Sequence, residues 1–163
     1  MLVYRASRRP RLAFDPLDAS GSVARDGWRF NDKRSEVLYT AEVQALATLE
    51  VVARPGWATV SELNIAAIDV PDGSVLDLAD LAITLPSNWN MRPAAPNARR
   101  IGAEFLAAVD AQAAAGRRVC GVRVPSVIST TDHNILLDPR QKRSYAIKSW
   151  SRIPFDWLMG TAT

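Results

Sequence analysis

Residues 64–78 read NIAAIDVPDGSVLDL, in which two largely apolar runs flank a four-residue turn. The runs 64–70 and 75–78 have the length and composition of β-strands, and Pro71-Asp72-Gly73-Ser74 carries residues that reverse a chain. A connection this short is typical of an antiparallel hairpin rather than of a parallel crossover. The stretch therefore favours an α+β fold with mostly antiparallel pairing over a doubly wound parallel sheet.

Strand and helix signals alternate along the rest of the chain. One helix is predicted at 41–52, with Thr40 as its N-cap and Glu42 in its first turn, and another at 98–115, where Gly116 is suited to end it. Further strands are predicted at 2–5, 36–39, 119–124 and 135–137, and loops at 8–26 and 86–96. Three aromatic residues of the tail are expected to dock on the body of the domain: Trp150, Phe155 and Trp157.

The chain of 163 residues has the length of one domain, so residues 1–163 are expected to fold as a single unit. No apolar run reaches the ~18 residues of a membrane span, and the N-terminus lacks the apolar segment of a secretory signal. The lone Cys120 excludes a disulfide framework and a cysteine-rich zinc site. These features predict a protein of the reducing cytoplasm.

The charge balance is mildly basic, with 20 basic and 17 acidic residues and a net charge of +3. Arginine accounts for 17 of the basic residues and lysine for 3. Arginine forms bidentate contacts with phosphate groups. A GC-rich genome explains the same bias without any ligand, so the bias alone does not identify a partner.

Several classes of active site are excluded by what the sequence lacks. Neither Gly-x-Gly-x-x-Gly after a strand nor Gly-x-x-x-x-Gly-Lys is present, so the two common phosphate-cradling loops are excluded. His133 is the only histidine, which excludes a multi-histidine metal site and a Ser-His-Asp triad built on any other residue. His133 itself falls in the predicted loop 130–134, where a histidine is usually solvated. No metal site is expected.

Glu50 and Arg29 are the strongest candidates for chemistry. Glu50 falls on the apolar stripe of the predicted helix 41–52, where a carboxylate must be paired or line a pocket. A buried ion pair or a frayed last turn would explain it equally. Arg29 stands between Trp28 and Phe30, whose rings could hold its guanidinium by stacking and leave its donors free for an anion. The alternative is an exposed arginine beside two core aromatics.

Tyr39 and Ser126 complete the set of candidates. Tyr39 ends an extended segment directly before the helix that carries Glu50, so its ring either forms the floor of a pocket or packs in the core. Ser126 follows Pro125 at a strand end, where sites often open but where serine is also an ordinary turn residue. The candidates together provide an arginine, an aromatic ring, a half-buried carboxylate and a hydroxyl. This set suits a site that binds a phosphorylated ligand and stabilises a positive charge that develops during the reaction.

Eight short segments follow one another in a recognisable order. They are Val3-Tyr4-Arg5, Gly27-Trp28-Arg29-Phe30-Asn31, Val37-Leu38-Tyr39-Thr40-Ala41, Ala45-Leu46-Ala47-Thr48-Leu49-Glu50, Leu85-Pro86-Ser87-Asn88-Trp89, Val124-Pro125-Ser126, Asn134-Ile135-Leu136-Leu137-Asp138-Pro139 and Pro154-Phe155-Asp156. The series spans nearly the whole chain and resembles the RES-domain toxins of bacterial toxin–antitoxin modules. The steps of ten residues from Arg29 to Tyr39 and eleven to Glu50 are similar to the spacing of that family.

This resemblance implies a fold like the ADP-ribosyltransferase domain of diphtheria-like toxins, with a mostly antiparallel split sheet flanked by helices. It implies that NAD is the substrate, without a metal, and that the nicotinamide–ribose bond is cleaved. The reaction would either degrade NAD or transfer ADP-ribose to a host protein such as phosphoribosyl pyrophosphate synthetase. Water, phosphate and a protein side chain all stay open as acceptors. A partner antitoxin with a DNA-binding domain is implied, and we expect one of its segments to block the NAD pocket.

The resemblance also implies roles for individual residues. Arg29, helped by Arg5, would bind the pyrophosphate of NAD through charge-assisted hydrogen bonds. Tyr39 would stack on or near the nicotinamide. Ser126 would orient the ribose or the amide, and Asn134 would lie at the rim of the pocket.

Glu50 would carry the chemistry by the same resemblance. It would bind the ribose hydroxyls and stabilise the oxocarbenium-like ion as nicotinamide departs. Nicotinamide leaves from a cationic ring, so no general acid is needed, which agrees with the near absence of histidine.

Two other functional classes are alternatives to this one. A basic RNA-binding or ribonuclease-like toxin is compatible with the pI of about 9.4. The scattered arginines and the lack of a recognition motif disfavour it, so no direct nucleic-acid binding is expected. A degenerate interaction module without activity is the third class.

Overall fold

The computed structural model describes residues 1–24, 26–53 and 62–154, which form one mixed sheet and two α-helices. The strands are β1 (Leu2–Ser7), β2 (Leu38–Ala41), β3 (Glu62–Asp69), β4 (Val75–Asp77), β5 (Gly121–Pro125), β6 (His133–Leu137) and β7 (Ala146–Pro154). The helices are α1 (Gln44–Val52) and α2 (Ile101–Ala114). Short 3₁₀ turns connect several of these elements. No described helix is long and apolar enough to cross a membrane.

The seven described strands lie in the order β4-β5-β6-β2-β1-β3-β7. Every neighbouring pair is antiparallel except β4 with β5, which is parallel. The predicted α+β class with mostly antiparallel pairing is therefore confirmed. The sheet is nearly divided between β1 and β2, which share the single register pair Tyr4↔Ala41, whereas β1 and β3 share six pairs.

The hairpin predicted at 64–78 is wrong, although both of its strands exist. β3 lies between β1 and β7, whereas β4 lies at the opposite edge of the sheet. The turn redirects the chain because the carbonyl of Ser74 accepts hydrogen bonds from the amides of Cys120 (2.7 Å) and Gly121 (3.1 Å). These bonds lead β4 into parallel pairing with β5. Six consecutive buried residues in β3 mark it as a strand covered on both faces.

Apolar side chains cover both faces of the sheet. Alternation along β6 illustrates this, because Ile135 and Leu137 belong to one buried cluster and Leu136 to the other. The first cluster includes Val3, Phe14, Leu38, Ile68, Cys120 and Tyr145. The second is built around α2 and includes Phe30, Ile101, Phe105, Val109, Val122 and Val124.

The first helix begins later than predicted. It runs from Gln44, and Thr40 is not its N-cap, since the Thr40 hydroxyl donates to the carbonyl of Ile135 (2.9 Å) within the sheet. Pairing with β6 continues through Ala41, which keeps the backbone extended. Val43 occupies the N-cap position and makes no side-chain cap.

The second helix agrees more closely with its prediction. A 3₁₀ turn occupies 98–100, and the α-helix itself spans Ile101–Ala114. Gly116 has φ of +75° and ends the helix as predicted. The amide of Gly116 donates to Ala113 (3.0 Å) and that of Arg117 to Gln112 (2.9 Å), which is the Schellman arrangement.

The tail contains a strand that the sequence did not predict. β7 pairs along its length with β3 at the edge of the sheet. Trp150 of this strand docks as expected, with its ring edge-on to Phe14 at 5.6 Å between centroids. Phe155 and Trp157 lie outside the described residues.

Candidate functional site

A cleft of about 950 Å³ is lined by residues of β1 and β2 on either side of their single pairing. The last turns of α1 and the loops around residues 27–30 and 92–94 complete its walls. Five of the six predicted site residues line this cleft: Arg5, Arg29, Tyr39, Glu50 and Asn134. The sixth, Ser126, is buried and touches Glu50. The fold thus brings together residues that lie far apart in the sequence.

Glu50 is held by two neutral hydrogen-bond donors. Its Oε1 accepts from the hydroxyl of Ser126 (2.9 Å) and from Nδ2 of Asn134 (2.6 Å). The Ser126 oxygen in turn accepts from the amide of Ile128 (3.0 Å), which directs its hydroxyl hydrogen towards Glu50. Among the residues that the structure describes, Oε2 of Glu50 has no hydrogen-bond partner. The carboxylate is therefore oriented through one oxygen, and the other is available to a ligand.

The helix places this carboxylate at the boundary between core and cleft. Leu46 and Ala47, on the same stripe of α1, are buried, whereas Glu50 is half-buried one turn later. Arg8 stabilises the C-terminal end of α1, since its guanidinium donates to the carbonyl of Val51 (2.6 Å). The apolar stripe thus anchors the helix and presents its last carboxylate to the cleft.

Arg29 is anchored by backbone carbonyls. Its Nη1 donates to the carbonyl oxygens of Trp89 and Met91, each at 2.9 Å. The predicted stacking with flanking aromatics is not what holds it, because Phe30 stacks on Trp89 instead, with ring centroids 6.1 Å apart. Partial burial lowers the pKa of Arg29, and the charge of Arg92 lowers this pKa further, against the opposing charge of Glu50. With an intrinsic pKa this high the guanidinium stays charged at neutral pH.

The Tyr39 hydroxyl organises the loop that carries Arg29. It donates to Oδ1 of Asn31 (2.9 Å) and accepts from the amide of Phe30 (3.0 Å). Its ring lies 6.5 Å from that of Trp28 and lines the cleft. The hydroxyl is thus committed to structure, and the ring is the part of Tyr39 that faces a ligand.

Asn31 is a positioning residue that sequence reasoning overlooked. Its side chain is fully buried, and Nδ2 contacts the carbonyls of Ser22 and Ser35 at 2.9 Å each. Together with the bond from Tyr39, these contacts fix the backbone on both sides of Arg29. The sequence contained a signal for this role, because an asparagine ends the segment that begins at Gly27. Asparagine side chains in turns commonly hydrogen-bond to nearby backbone groups.

The same loop requires glycine at position 27. Gly27 has φ of +85°, and a Cβ atom there would lie under 3 Å from backbone atoms of Asn31 and Asp32. This close approach allows the Trp28 amide to donate to the carbonyl of Asn31 (2.9 Å). The loop is also fastened to α2, because the amide of Gly102 donates to the carbonyl of Phe30 (2.6 Å).

The cleft is strongly basic. Its described lining contains six arginines, at 5, 8, 9, 29, 92 and 99, and three carboxylates, at 15, 18 and 50. Arg5 donates to the carbonyl of Pro16 (2.9 Å) and lies over the Phe14 ring. No group of three or more potential metal-ligating side chains occurs among the described residues. The arrangement is therefore one for binding an anionic ligand.

His133 and Glu42 do not line the cleft. Glu42 precedes α1 rather than lying in its first turn as predicted, and it accepts from the His133 amide (2.8 Å). Its carboxylate also contacts Nδ1 of His133 (3.1 Å) and Nε of Arg123 (3.5 Å). The single histidine is thus half-exposed in a structural ion-pair network.

The chain is similar to proteins of one known family. The model of the RES domain family matches residues 2–158. A protein of Yersinia enterocolitica named Toxin Res is 31% identical over 143 residues, which cover 87% of this chain and 86% of that protein. The Prs ADP-ribosylating toxin of a Sphingobium species is 32% identical over 141 residues, 83% of this chain and 81% of that protein. A Toxin Res of Photorhabdus laumondii is 28% identical over 143 residues, 87% of this chain and 84% of that protein. With a family match over nearly its whole length, this chain belongs to the RES domain family.

Proposed function

We propose that this protein is the toxin of a toxin–antitoxin module and that it cleaves the nicotinamide–ribose bond of NAD. The observation that carries the proposal is a carboxylate, Glu50, oriented by Ser126 and Asn134 within an arginine-rich cleft. Such a site binds an anion and stabilises positive charge beside it. The names of the relatives, Toxin Res and Prs ADP-ribosylating toxin, support the same activity.

The diphosphate of NAD would bind to the arginines of the cleft. Arg29 is pre-oriented, because two carbonyls hold its Nη1. A guanidinium fixed in this way loses little conformational freedom when it donates hydrogen bonds to a phosphate. Arg5 lines the same cleft from β1 and would assist. The ring of Tyr39 would lie beside the nicotinamide, since its hydroxyl is committed to the loop.

Glu50 would act at the bond that breaks. The bond between the ribose C1′ and the nicotinamide nitrogen cleaves, and its electron pair leaves with neutral nicotinamide. The ribose is left as an oxocarbenium-like cation, which the free oxygen of Glu50 would stabilise while it binds the ribose hydroxyls. Ser126 is a positioning residue in this scheme, because it reaches the substrate only through Glu50.

The acceptor of ADP-ribose attacks C1′ and loses a proton as the new bond forms. Water or phosphate would give degradation of NAD, and a protein side chain would give ADP-ribosylation. The name of the Sphingobium relative favours a protein acceptor. A host enzyme such as phosphoribosyl pyrophosphate synthetase is the acceptor that we propose to test first.

The variant Glu50→Gln tests the catalytic role. It keeps the shape and the bond from Ser126 but removes the negative charge, so we expect nicotinamide release from NAD to fall about 10²–10³-fold. The measurement is chromatography of nicotinamide after incubation of the purified chain with NAD. Glu36→Gln is the matched control, because Glu36 is exposed and outside the cleft, and it should keep full activity. Near-normal turnover by a folded Glu50→Gln variant would refute the role.

The same preparations distinguish the competing function. If the protein were a ribonuclease-like toxin, the wild-type chain would degrade RNA and release no nicotinamide. The described cleft contains no histidine to serve as general base or acid, which disfavours that chemistry. Mass spectrometry of the products, with and without host lysate, then identifies the acceptor.

An antitoxin partner is part of the same proposal. An antitoxin with a DNA-binding domain would place an acidic side chain or a chain terminus against the arginines of the cleft.

Residues 1–163 would form a single RES domain with the split-sheet fold of the ADP-ribosyltransferases, which the name of the Sphingobium relative supports. The buried free thiol of Cys120 suits a cytoplasmic site of action.

NAD competition tests the proposed mode of inhibition. The complex with the product of the neighbouring gene is purified and its NAD turnover is measured at rising NAD concentration. Inhibition that NAD relieves supports a blocked pocket. Full activity in a stable complex would refute it, and inhibition that NAD does not relieve would indicate an allosteric block.

A further inference from the structure

The way Arg29 is anchored positions a second arginine beside it. The carbonyl of Met91 accepts from Nη1 of Arg29 at 2.9 Å, and the next residue along the chain is Arg92. Arg92 is exposed and lines the same cleft. Its charge contributes to the lowered pKa of Arg29, so the two guanidinium groups interact electrostatically. Two cations held near each other on one wall are stabilised when an anion binds between them.

The arginines on this wall of the cleft form no ion pairs among the described residues. In the described parts of the chain, no carboxylate lies within ion-pair distance of Arg29, Arg92 or Arg99. Arg99 donates to the carbonyl of Asp26 (3.2 Å), and its buried Nε has no hydrogen-bond partner among the described residues. No ion pair therefore neutralises the positive charge of this wall, and the charge of Glu50 opposes that of Arg29 only from beyond ion-pair distance.

The wall that carries Arg5 is different. The carboxylates of Asp15 and Asp18 line the cleft near it. Hydrogen bonds from Ser20 lower the pKa of Asp18, and the charges of Arg5 and Arg9 lower this pKa further. The positive charge of Arg5 is thus partly compensated within the protein, which makes it a weaker partner for Arg29 than Arg92 is.

We infer that Arg92 is a second diphosphate-binding residue, which acts together with Arg29 on the NAD that the proposed function requires. A diphosphate presents two adjacent anionic groups, and two neighbouring guanidinium groups match them with charge-assisted hydrogen bonds. The inference rests on the proposed function for the identity of the ligand. Arg92 binds the substrate without touching the bond that breaks, so it affects affinity rather than the chemical step.

Substrate kinetics test this role. The full chain, made by cell-free synthesis, is compared with Arg92→Gln and Arg92→Lys. We expect Arg92→Gln to raise KM for NAD about tenfold, as the loss of one charge-assisted hydrogen bond does, with kcat nearly unchanged. Arg92→Lys keeps the charge and should fall between Arg92→Gln and wild type. Arg117→Gln, which changes an exposed arginine outside the cleft, is the control and should leave KM unchanged.

Nicotinamide riboside is a second substrate that has the scissile bond but no phosphate. It therefore distinguishes a loss of phosphate binding in Arg92→Gln from a general disturbance of the site. Arg92→Gln and wild type should cleave it equally well. An unchanged KM for NAD would overturn the inference, and so would an equal loss with both substrates.

A binding measurement keeps the inference independent of turnover. Inorganic pyrophosphate is titrated calorimetrically into wild type and Arg92→Gln, and the variant should bind it about tenfold more weakly. If wild type binds pyrophosphate through Arg92 but releases no nicotinamide from NAD, the proposed function fails while the anion site stands. Equal binding by both proteins, or none by wild type, refutes the role of Arg92.

Discussion

At the scale of single residues, the site depends on a charge that is oriented without being neutralised. Glu50 could have been buried against a cation, but its Oε1 is instead held by the neutral groups of Ser126 and Asn134. A neutral donor fixes the direction of a carboxylate and leaves its negative charge available. Arg29 is likewise oriented by neutral groups, since two carbonyls hold its guanidinium and leave its positive charge available to a ligand. Both groups are therefore organised in advance of binding.

Replacement of Asn31 tests this organisation at a residue that does not line the cleft. We expect Asn31→Ala to destabilise the protein by about 3 kcal/mol, because the half-buried hydroxyl of Tyr39 and several carbonyls lose a hydrogen-bond partner. KM for NAD should rise as well, since the loop that carries Arg29 loosens. Urea unfolding measures the first effect and steady-state kinetics the second. Asn90→Ala changes an exposed residue and should stay within ~0.5 kcal/mol of wild type. Equal stability of the two variants would contradict the role of Asn31.

At the scale of elements, the loop 27–31 joins the core around α2 to the site. It is bonded to β2 through Tyr39 and to the first turn of α2 through the amide of Gly102. Its aromatic residue Phe30 is buried in the core around α2. The position of Arg29 is thus set by the packing of a helix and a strand rather than by the loop alone.

Gly27→Ala is expected to disrupt this element. An alanine there meets two penalties, a strained backbone at φ of +85° and a collision with the backbone of Asn31 and Asp32. Gly116→Ala meets only the first, because φ is +75° but nothing lies within 4 Å of its Cβ. We expect a loss of about 1 kcal/mol for Gly116→Ala and at least ~2 kcal/mol more for Gly27→Ala, measured by urea unfolding. Equal losses would show that the close approach at Gly27 is relieved at no cost.

At the scale of the whole molecule, a sheet covered on both faces supports a cleft at its one weak junction. β1 and β2 share a single register pair, and residues of both strands line the cleft. Each half of the sheet is held by its own pairing, from β4 to β2 on one side and from β1 to β7 on the other. The opening therefore costs few hydrogen bonds and is bounded by strands that are paired on their other sides.

Cys120 reports on the integrity of this whole structure. It is fully buried in the core beside Val3 and Ile68, and burial raises the pKa of its thiol. Labelling requires unfolding because the side chain is buried, and the raised pKa also favours the less reactive neutral thiol. We expect a thiol reagent at pH 8 to react at least about 100-fold more slowly with the native protein than with the protein in urea. Equal rates in the two conditions would contradict the buried position.

Local patterns determined much of this protein from the sequence alone. Helical periodicity and Gly116 located α2, and the apolar stripe of α1 identified Glu50 as a carboxylate that needed an explanation. The ordered series of segments identified the RES domain family, which the family match confirms. These features depend on residues close together in the chain, so a sequence displays them directly.

Only the tertiary structure decided which distant residues meet. The turn at 71–74 reads as a hairpin, yet bonds from Cys120 and Gly121 to Ser74 carry β4 to the far edge of the sheet. In the same way the partners of Glu50 come from residues 76 and 84 positions away, and those of Arg29 from 60 and 62 positions away. Arg92 became a candidate for diphosphate binding only because Arg29 is held by the carbonyl of Met91, the residue before it. Hydrogen bonds across such separations depend on how the sheet assembles, and no local pattern encodes them.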